Sequence, residues 1–234
     1  MRIADSVALV TGANRGLGRH FARELTERGA KVYATARRPE AIDLPGVIPL
    51  GLDITDPASV AAAAKAAGDV TLLVNNAGSS TKASLLHGDI AEIRLEMETH
   101  FFGTLAASRE FAPVLKANGG GAILNILSVL SWIASDESGA YSAAKSAEWA
   151  LTNSLRLQLA AQGTFVSGLH VGYMDTDMAA HVEGPKSDPA KVAAFALDEL
   201  EAGQIEILAD PLSGAVKSRL AGPVAAMYPQ LAAL

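Results

Sequence analysis

Two residues of this 234-residue chain combine acid–base chemistry with helical spacing. In Tyr141-Ser142-Ala143-Ala144-Lys145, a phenol and an ammonium stand at i and i+4, one turn apart on one helix face. A free tyrosine ionises near pH ~10, and a nearby positive charge favours the phenolate. Lys145 is therefore expected to draw Tyr141 down toward the range of a useful general acid and base. A Tyr-x-x-x-Lys spacing is common by itself; Ser128 gives it weight. This serine follows an apolar run at residues 122–126, and ligands of parallel sheets collect at the carboxyl ends of strands. A hydroxyl placed there can donate to a carbonyl oxygen as negative charge develops on it. Taken alone, Ser128 reads equally as a strand-end cap.

A second constellation lies at the N-terminus. Thr11-Gly12-Ala13-Asn14-Arg15-Gly16-Leu17-Gly18 joins an apolar run to a helical one. Glycines let the chain turn sharply and approach a pyrophosphate held at the positive end of the helix. The spacing is GxxxGxG, and a bare strand-to-helix turn is the competing reading. Further on, the region after the second apolar run reads Tyr33-Ala34-Thr35-Ala36-Arg37-Arg38, without a carboxylate to bind a ribose 2′-hydroxyl. Arg15, Arg37 and Arg38 offer guanidinium groups instead, which match the 2′-phosphate of NADP.

The elements that must carry these residues follow from periodicity. Nearly continuous apolar runs at residues 7–10, 31–35, 47–50, 71–74, 122–126, 165–170 and 205–209 read as strands covered on both faces. They alternate with helical stretches at 16–28, 57–67, 90–117, 141–162 and 189–202, two of them opened by the cap-and-proline pairs Asp56-Pro57 and Asp188-Pro189. The expected fold is α/β: a single doubly wound Rossmann domain over residues 1–234, with a mostly parallel seven-stranded sheet flanked by helices. A substrate loop is expected at about residues 173–188. The apolar end at residues 222–234, with two prolines, reads as packing on a neighbour or fraying.

With these motifs in this order, the chain resembles the short-chain dehydrogenase/reductase family from Val7 to about Met178. The resemblance implies that Gly12, Asn14, Arg15, Gly16, Leu17, Gly18, Arg37 and Arg38 bind NADP. It assigns the adenine to Asp53 with Ile54, and adds Asn76, Ala77 and Gly78 from the Asn75-Asn76-Ala77-Gly78 segment and Gly172, Met174 and Thr176 beyond strand six. It implies that Ser128, Tyr141 and Lys145 are catalytic, Tyr141 protonating a carbonyl and Lys145 holding the nicotinamide ribose. The expected activity is reversible NADPH-dependent reduction of a ketone or aldehyde. A redox sensor that binds NADP without chemistry is the alternative, disfavoured by the intact Tyr141/Lys145 pair.

The chain departs from the family at three places. His100 stands where the family has an asparagine whose backbone carbonyl holds a relay water. Either the backbone of His100 serves, or its imidazole joins the relay as a further catalytic group. Val171-Gly172 replaces the usual Pro-Gly, and the glycine-rich ending after the last strand is missing. The helices at 90–117 and 141–162 resemble those of the family's dimer interface, with Ala107, Ala147 and Leu151 as candidate contacts, so a homodimer or homotetramer is expected.

Composition narrows the function further. Half the residues are hydrophobic and 19% charged, with a net charge of -6 and no cysteine. No basic face for nucleic acid, thiolate metal site or disulfide is expected, and the remaining histidines, His20, His87, His170 and His181, have no metal-like spacing. No run spans a bilayer and no leader is read, so a cytoplasmic enzyme is expected. Ser79, Ser80, residues 129–133, Tyr173 and residues 178–187 are the expected pocket, with Trp132 close enough to Ser128 to line it. They are small or apolar and suit a small hydrophobic carbonyl substrate.

Overall fold

A computed structural model of the chain describes residues 1–228. Seven strands, β1 (Val7–Val10), β2 (Lys31–Ala36), β3 (Ile48–Gly51), β4 (Leu72–Asn75), β5 (Gly121–Ile126), β6 (Thr164–His170) and β7 (Glu206–Leu208), form one sheet in the order β3-β2-β1-β4-β5-β6-β7. Every pairing is parallel, so the sheet is wholly rather than mostly parallel. The chain reverses direction between β1 and β4, the crevice where such sheets bind ligands.

The five inner strands β2, β1, β4, β5 and β6 serve two cores because their side chains alternate between faces, whereas the edge strand β3 is mostly exposed and β7 adds only Ile207 to one core. Ala8, Val10, Leu72 and Val74 pack with Leu17, Phe21 and Leu25 of helix α1 (Gly16–Glu27) and Ala193 and Leu197 of α6 (Pro189–Glu201). Leu9, Leu73 and Ile123 pack on the other face with Phe111 and Leu115 of α4 (Thr104–Ala117) and Leu151 and Leu155 of α5 (Gly139–Leu159). Each such buried Leu or Phe contributes about 1.5–3 kcal/mol. Helix α2 (Pro57–Ala66) completes this second layer, capped by Asp56, and α6 is capped by Asp188, as the Asp-Pro pairs predict.

A polar chain runs through the middle of the second layer. Asn75 Nδ2 donates to Asn125 Oδ1 at 2.8 Å, Asn125 Nδ2 to Thr152 Oγ1 at 2.9 Å, and Thr152 Oγ1 to the Glu148 carbonyl at 2.8 Å. Buried amides and hydroxyls are tolerated only when paired this way, and the pairing sets β4, β5 and α5 at one register.

The expected single helix at 90–117 is three pieces: α3 (Ile90–Met97), a π-helical turn over Glu98–Gly103, and α4. The wider turn re-aims the side chains it carries, and such turns gather at functional sites. Beyond β7 the chain forms two helices not expected from periodicity, α7 (Pro211–Arg219) and α8 (Val224–Met227). Asp210-Pro211 is a third cap-and-proline pair, with Asp210 Oδ1 accepting from Ser213 N at 2.7 Å. The apolar end thus begins in helix α8, and Tyr228 packs within its own chain, its hydroxyl accepting from Ala134 N at 2.8 Å. Residues 229–234 lie outside the described residues.

Two of the three candidate dimer contacts need correction, while Ala147 is half-buried. Ala107 is 1% exposed and Leu151 8%, because both face the core of their own chain. The outward side of this layer instead presents Phe102, 48% exposed, and Leu157, 80% exposed. Helical period alone cannot tell which apolar stripe a two-sided helix turns inward.

Candidate active site

The carboxyl ends of β1, β4, β5 and β6 open into one cavity of about 940 Å³. Its wall includes Gly12, Asn14, Arg15, Gly16, Leu17, Arg37, Arg38, Asp53, Ile54, Asn76, Ala77, Gly78, His100, Ser128, Tyr141, Lys145, Gly172, Met174 and Thr176. Of the residues assigned above to catalysis or cofactor binding, only Gly18 is absent from that wall.

Gly18 sits behind the wall for a steric reason. A Cβ there would stand 2.3 Å from both the Gly12 carbonyl oxygen and Asn76 Nδ2. The glycine loop and the segment after β4 are stitched together at this point. Thr11 Oγ1 accepts from the backbone N–H groups of Asn76 and Ala77 at 2.8 and 2.9 Å, and Asn76 Nδ2 donates to the Thr11 and Gly12 carbonyls. Gly12 and Gly16 take φ values of +66° and +54°, left-handed conformations that suit glycine. No side chain caps α1, so its first-turn N–H groups face the cavity, the arrangement that receives a phosphate.

Arg37 and Arg38 follow β2 and are both exposed at the cavity edge. Arg15 stands opposite, 3.6 Å from the Asp177 carboxylate in the loop after β6. Asp53 Oδ1 accepts from the N–H and hydroxyl of Thr55 at 3.0 and 2.7 Å, which fixes the turn after β3.

At the other end of the cavity, Lys145 is almost wholly buried, with Nζ donating to the Ile126 carbonyl and to Glu148 Oε2, both at 2.7 Å. Glu148 also accepts from Thr104 Oγ1 at 2.9 Å. Lys145 Nζ lies 5.8 Å from the centre of the Tyr141 ring. Glu148 carries no motif and was missed by sequence reasoning; its i+3 spacing from Lys145 was the available signal.

These charges alter the expectation for Tyr141. Burial pushes its phenol above the ordinary value. Lys145 and the Ser128 hydroxyl pull it down, but Glu148 and Glu96 oppose them, and the net direction is upward. Lys145 does act to lower the phenol, as expected, but burial, helped by Glu148, outweighs it. Lys145 is itself raised: burial would lower it, but Glu148 and Tyr141 outweigh that cost. The site therefore holds a protonated phenol beside a charged ammonium at neutral pH.

His100 presents its side chain, not only its backbone. Its ring meets Tyr141 edge-on, and Nε2 lies 2.9 Å from the Ser79 carbonyl and 3.2 Å from Glu96 Oε2. Burial acts to raise the Glu96 carboxyl, yet hydrogen bonds from His100 and Thr81 hold it below its ordinary range. A Cβ on Gly78 would come within 2.8 Å of His100 Cε1, so the ring also needs that glycine.

Ser128 Oγ accepts from Leu130 N at 3.1 Å, so the strand-end cap is real. The residue lines the cavity as well. Trp132 needs correction: it is not on the cavity wall but stacks on His170, ring centres 3.7 Å apart, and meets Trp149 edge-on. His170, 1% exposed, donates from Nδ1 to the Ser128 carbonyl at 3.2 Å and so supports the serine from below. Of the expected pocket, Ser79, Ser80, Val129, Leu130, Ile133, Tyr173, Met178, Ala179 and His181 line the cavity, whereas Ser131, Ala180 and residues 182–187 do not reach it. Among the described residues there is no acidic, histidine or cysteine cluster suited to a metal, and no helix long and apolar enough to cross a membrane.

The family model for short chain dehydrogenase matches residues 6–186. The crystal structure of a short chain dehydrogenase from Burkholderia cenocepacia in complex with NADP superposes with a TM-score of 0.94 at 39% identity, covering 99% of both chains. The 3-oxoacyl-[acyl-carrier-protein] reductase of Vibrio cholerae is 34% identical over 76% of this chain and 77% of its own. An NADPH-dependent 1-acyldihydroxyacetone phosphate reductase of Schizosaccharomyces pombe is 30% identical over 80% of this chain, a match that spans 66% of that relative, just under two thirds.

Proposed function

Because the chain belongs to the short-chain dehydrogenase family, we propose that it is an oxidoreductase that uses NADPH to reduce the carbonyl group of a small hydrophobic ketone or aldehyde. The observation that carries this reading is the placement of Ser128, Tyr141 and Lys145 at one end of a cavity whose other end is lined by the start of α1 and by Arg15, Arg37 and Arg38. Arg15, Arg37 and Arg38 would hold the 2′-phosphate, the uncapped start of α1 the pyrophosphate, and Asp53 with Ile54 the adenine. Asn76, Ala77, Gly78, Gly172, Met174 and Thr176 would line the path to the nicotinamide, and Lys145 would hold its ribose. When bound, the nicotinamide supplies hydride to the carbonyl carbon.

The protein's own residues manage the oxygen. Ser128 donates a hydrogen bond to it as charge develops, and Tyr141 delivers the proton. Lys145 keeps positive charge near the phenolate that remains. Val129, Leu130, Ile133 and Tyr173 receive the organic part of the substrate, exclude water and favour apolar groups. The exposed Phe102 and Leu157 support a homodimer or homotetramer as the assembly.

A panel of aryl ketones, aldehydes, quinones and steroids, each offered with NADPH and with NADH, tests the reading through loss of reduced-cofactor absorbance. Turnover of an apolar carbonyl with preference for NADPH is expected. A protein that binds NADPH but turns over no member of the panel would instead be the non-catalytic sensor.

A further inference from the structure

Residues 76–84 leave β4, form part of the cavity wall and belong to neither helix nor strand. Without a ladder, their backbone groups need side-chain partners. Thr11 takes the N–H groups of Asn76 and Ala77. His100 Nε2 meets the Ser79 carbonyl at 2.9 Å, and Glu96 Oε1 accepts from the Thr81 N–H. Glu96 Oε2 accepts from Ser79 Oγ at 3.1 Å and faces His100 Nε2 at 3.2 Å. The Ser79 carbonyl and the carboxylate are both acceptors, so Nε2 carries a proton and shares it between them.

Glu96 is fully buried on α3 and does not reach the cavity. A carboxylate taken from water must find hydrogen-bond donors. Two of its donors come from this one segment, Ser79 and Thr81, and the third is His100 at i+4.

Beyond Thr81 the backbone is strained. Lys82 has φ +57°, and among the described residues it is the only non-glycine in the left-handed region. Such a conformation persists where its surroundings impose it. On one side stands Thr81, held by Glu96. On the other, the Ala83 carbonyl accepts from the N–H of Ala140 at 3.1 Å, one residue before Tyr141. The segment is a strap, fastened to α3 through Ser79 and Thr81 and to the start of α5 through Ala83.

We propose that Glu96 is a positioning residue for the carbonyl substrate, fixing the Ser79–Ser80 wall in one place and so setting which shapes the site admits. The inference rests on the reductase reading for its substrate and adds to it the residue that sets the width of the pocket. Glu96 acts only through the strap. Once the clasp is weakened, the wall has no single position, and discrimination between slim and bulky carbonyls falls.

The test uses Glu96→Gln, which keeps the size but turns one acceptor oxygen into an NH2 donor facing donors of the strap. Among straight-chain aldehydes and aryl ketones, the two that the wild type separates most in kcat/KM are compared with saturating NADPH. Damage to Tyr141 or to the cofactor site slows both alike and cancels in their ratio. The ratio should shrink roughly tenfold, the low end of what a pocket gains by rejecting one misplaced methylene. An unchanged ratio, even with both substrates slowed, overturns the proposal, because Glu96 then serves the fold alone. Trypsin reads the strap without turnover, since Lys82 is exposed and trypsin cleaves after lysine. Local release should quicken cleavage at Lys82 by roughly tenfold in Glu96→Gln while other sites keep their rates. Unchanged cleavage there also overturns the proposal. If Glu96→Gln does not fold, Glu96→Asp, whose shorter arm draws the carboxylate off the strap, must change both readouts in the same directions, and unchanged values overturn the proposal. Failure of the reductase reading shows separately, as a wild-type protein inert toward every carbonyl while trypsin still judges the strap.

Discussion

The rings of His100 and Tyr141 meet edge to face, with centroids 5.0 Å apart and planes at 86°. The contact ties the π-helical turn directly to the proposed proton donor. Any change that moves His100 also moves the phenol, so the expected effects below separate removal of a group from displacement of it.

Tyr141→Phe keeps this ring contact and removes only the hydroxyl. Carbonyl reduction should fall by about 10²–10⁴-fold, the usual worth of a general acid, while NADPH affinity measured by fluorescence titration stays near wild type. Retention of most of the activity would show that another group donates the proton.

Replacement of Arg37 and Arg38 together by neutral residues should weaken NADPH far more than NADH. Each charge-assisted hydrogen bond lost is worth about 1.5–3 kcal/mol, so roughly tenfold or more per arginine is expected. Calorimetric titration with the two cofactors gives the ratio. Equal losses would move the 2′-phosphate away from these guanidinium groups.

Gly18→Ala places a methyl against the Gly12 carbonyl and Asn76, both of which the loop needs where they are. Overpacking of this kind costs about 1–3 kcal/mol, and here the strain falls on the turn proposed to face the cofactor's phosphates. A lower Tm and weaker NADPH binding should appear together. A variant with normal Tm and normal affinity would show that the loop has room to give.

His170 governs stability in acid. Burial holds its imidazole at about 4, well below the ordinary value. The folded state thus resists a proton that the unfolded chain accepts near pH ~6.5, so stability is complete above that pH. It should decline as the pH falls from there to about 4, by roughly 3 kcal/mol in all. Denaturant unfolding at several pH values should show His170→Gln with a flatter acid limb than wild type. An identical slope would assign the acid loss elsewhere.

The exposed Phe102 and Leu157 should be covered in solution. Light scattering at micromolar concentration is expected to give a dimer or larger, and Phe102→Glu or Leu157→Glu should shift it toward monomer. A wild-type monomer would contradict the expected assembly.

Much of the cavity's phosphate end was legible without coordinates, because its requirements are local. A backbone at positive φ asks for glycine at Gly12 and Gly16, Asp-Pro pairs announce helix starts, and most of the unbroken apolar runs are strands covered on both faces, the exposed edge strand β3 excepted. Tyr141 and Lys145 were legible for the same reason, since helical period alone aligns them. Even so, the direction of the Tyr141 shift was not, because it depends on a sum of burial and four neighbours drawn from three elements. Glu148 passed unnoticed as one more acid on an alanine-rich helix until folding buried it against Lys145. His100 could be flagged as unusual, but only the π-helical turn decided that its ring faces Tyr141 and Glu148. The inward stripe of α4 and α5, misjudged at Ala107 and Leu151, and the place of Trp132 against His170 were decided in the same way. Local chemistry follows chain order, whereas burial and the sharing of buried charge depend on which elements pack together.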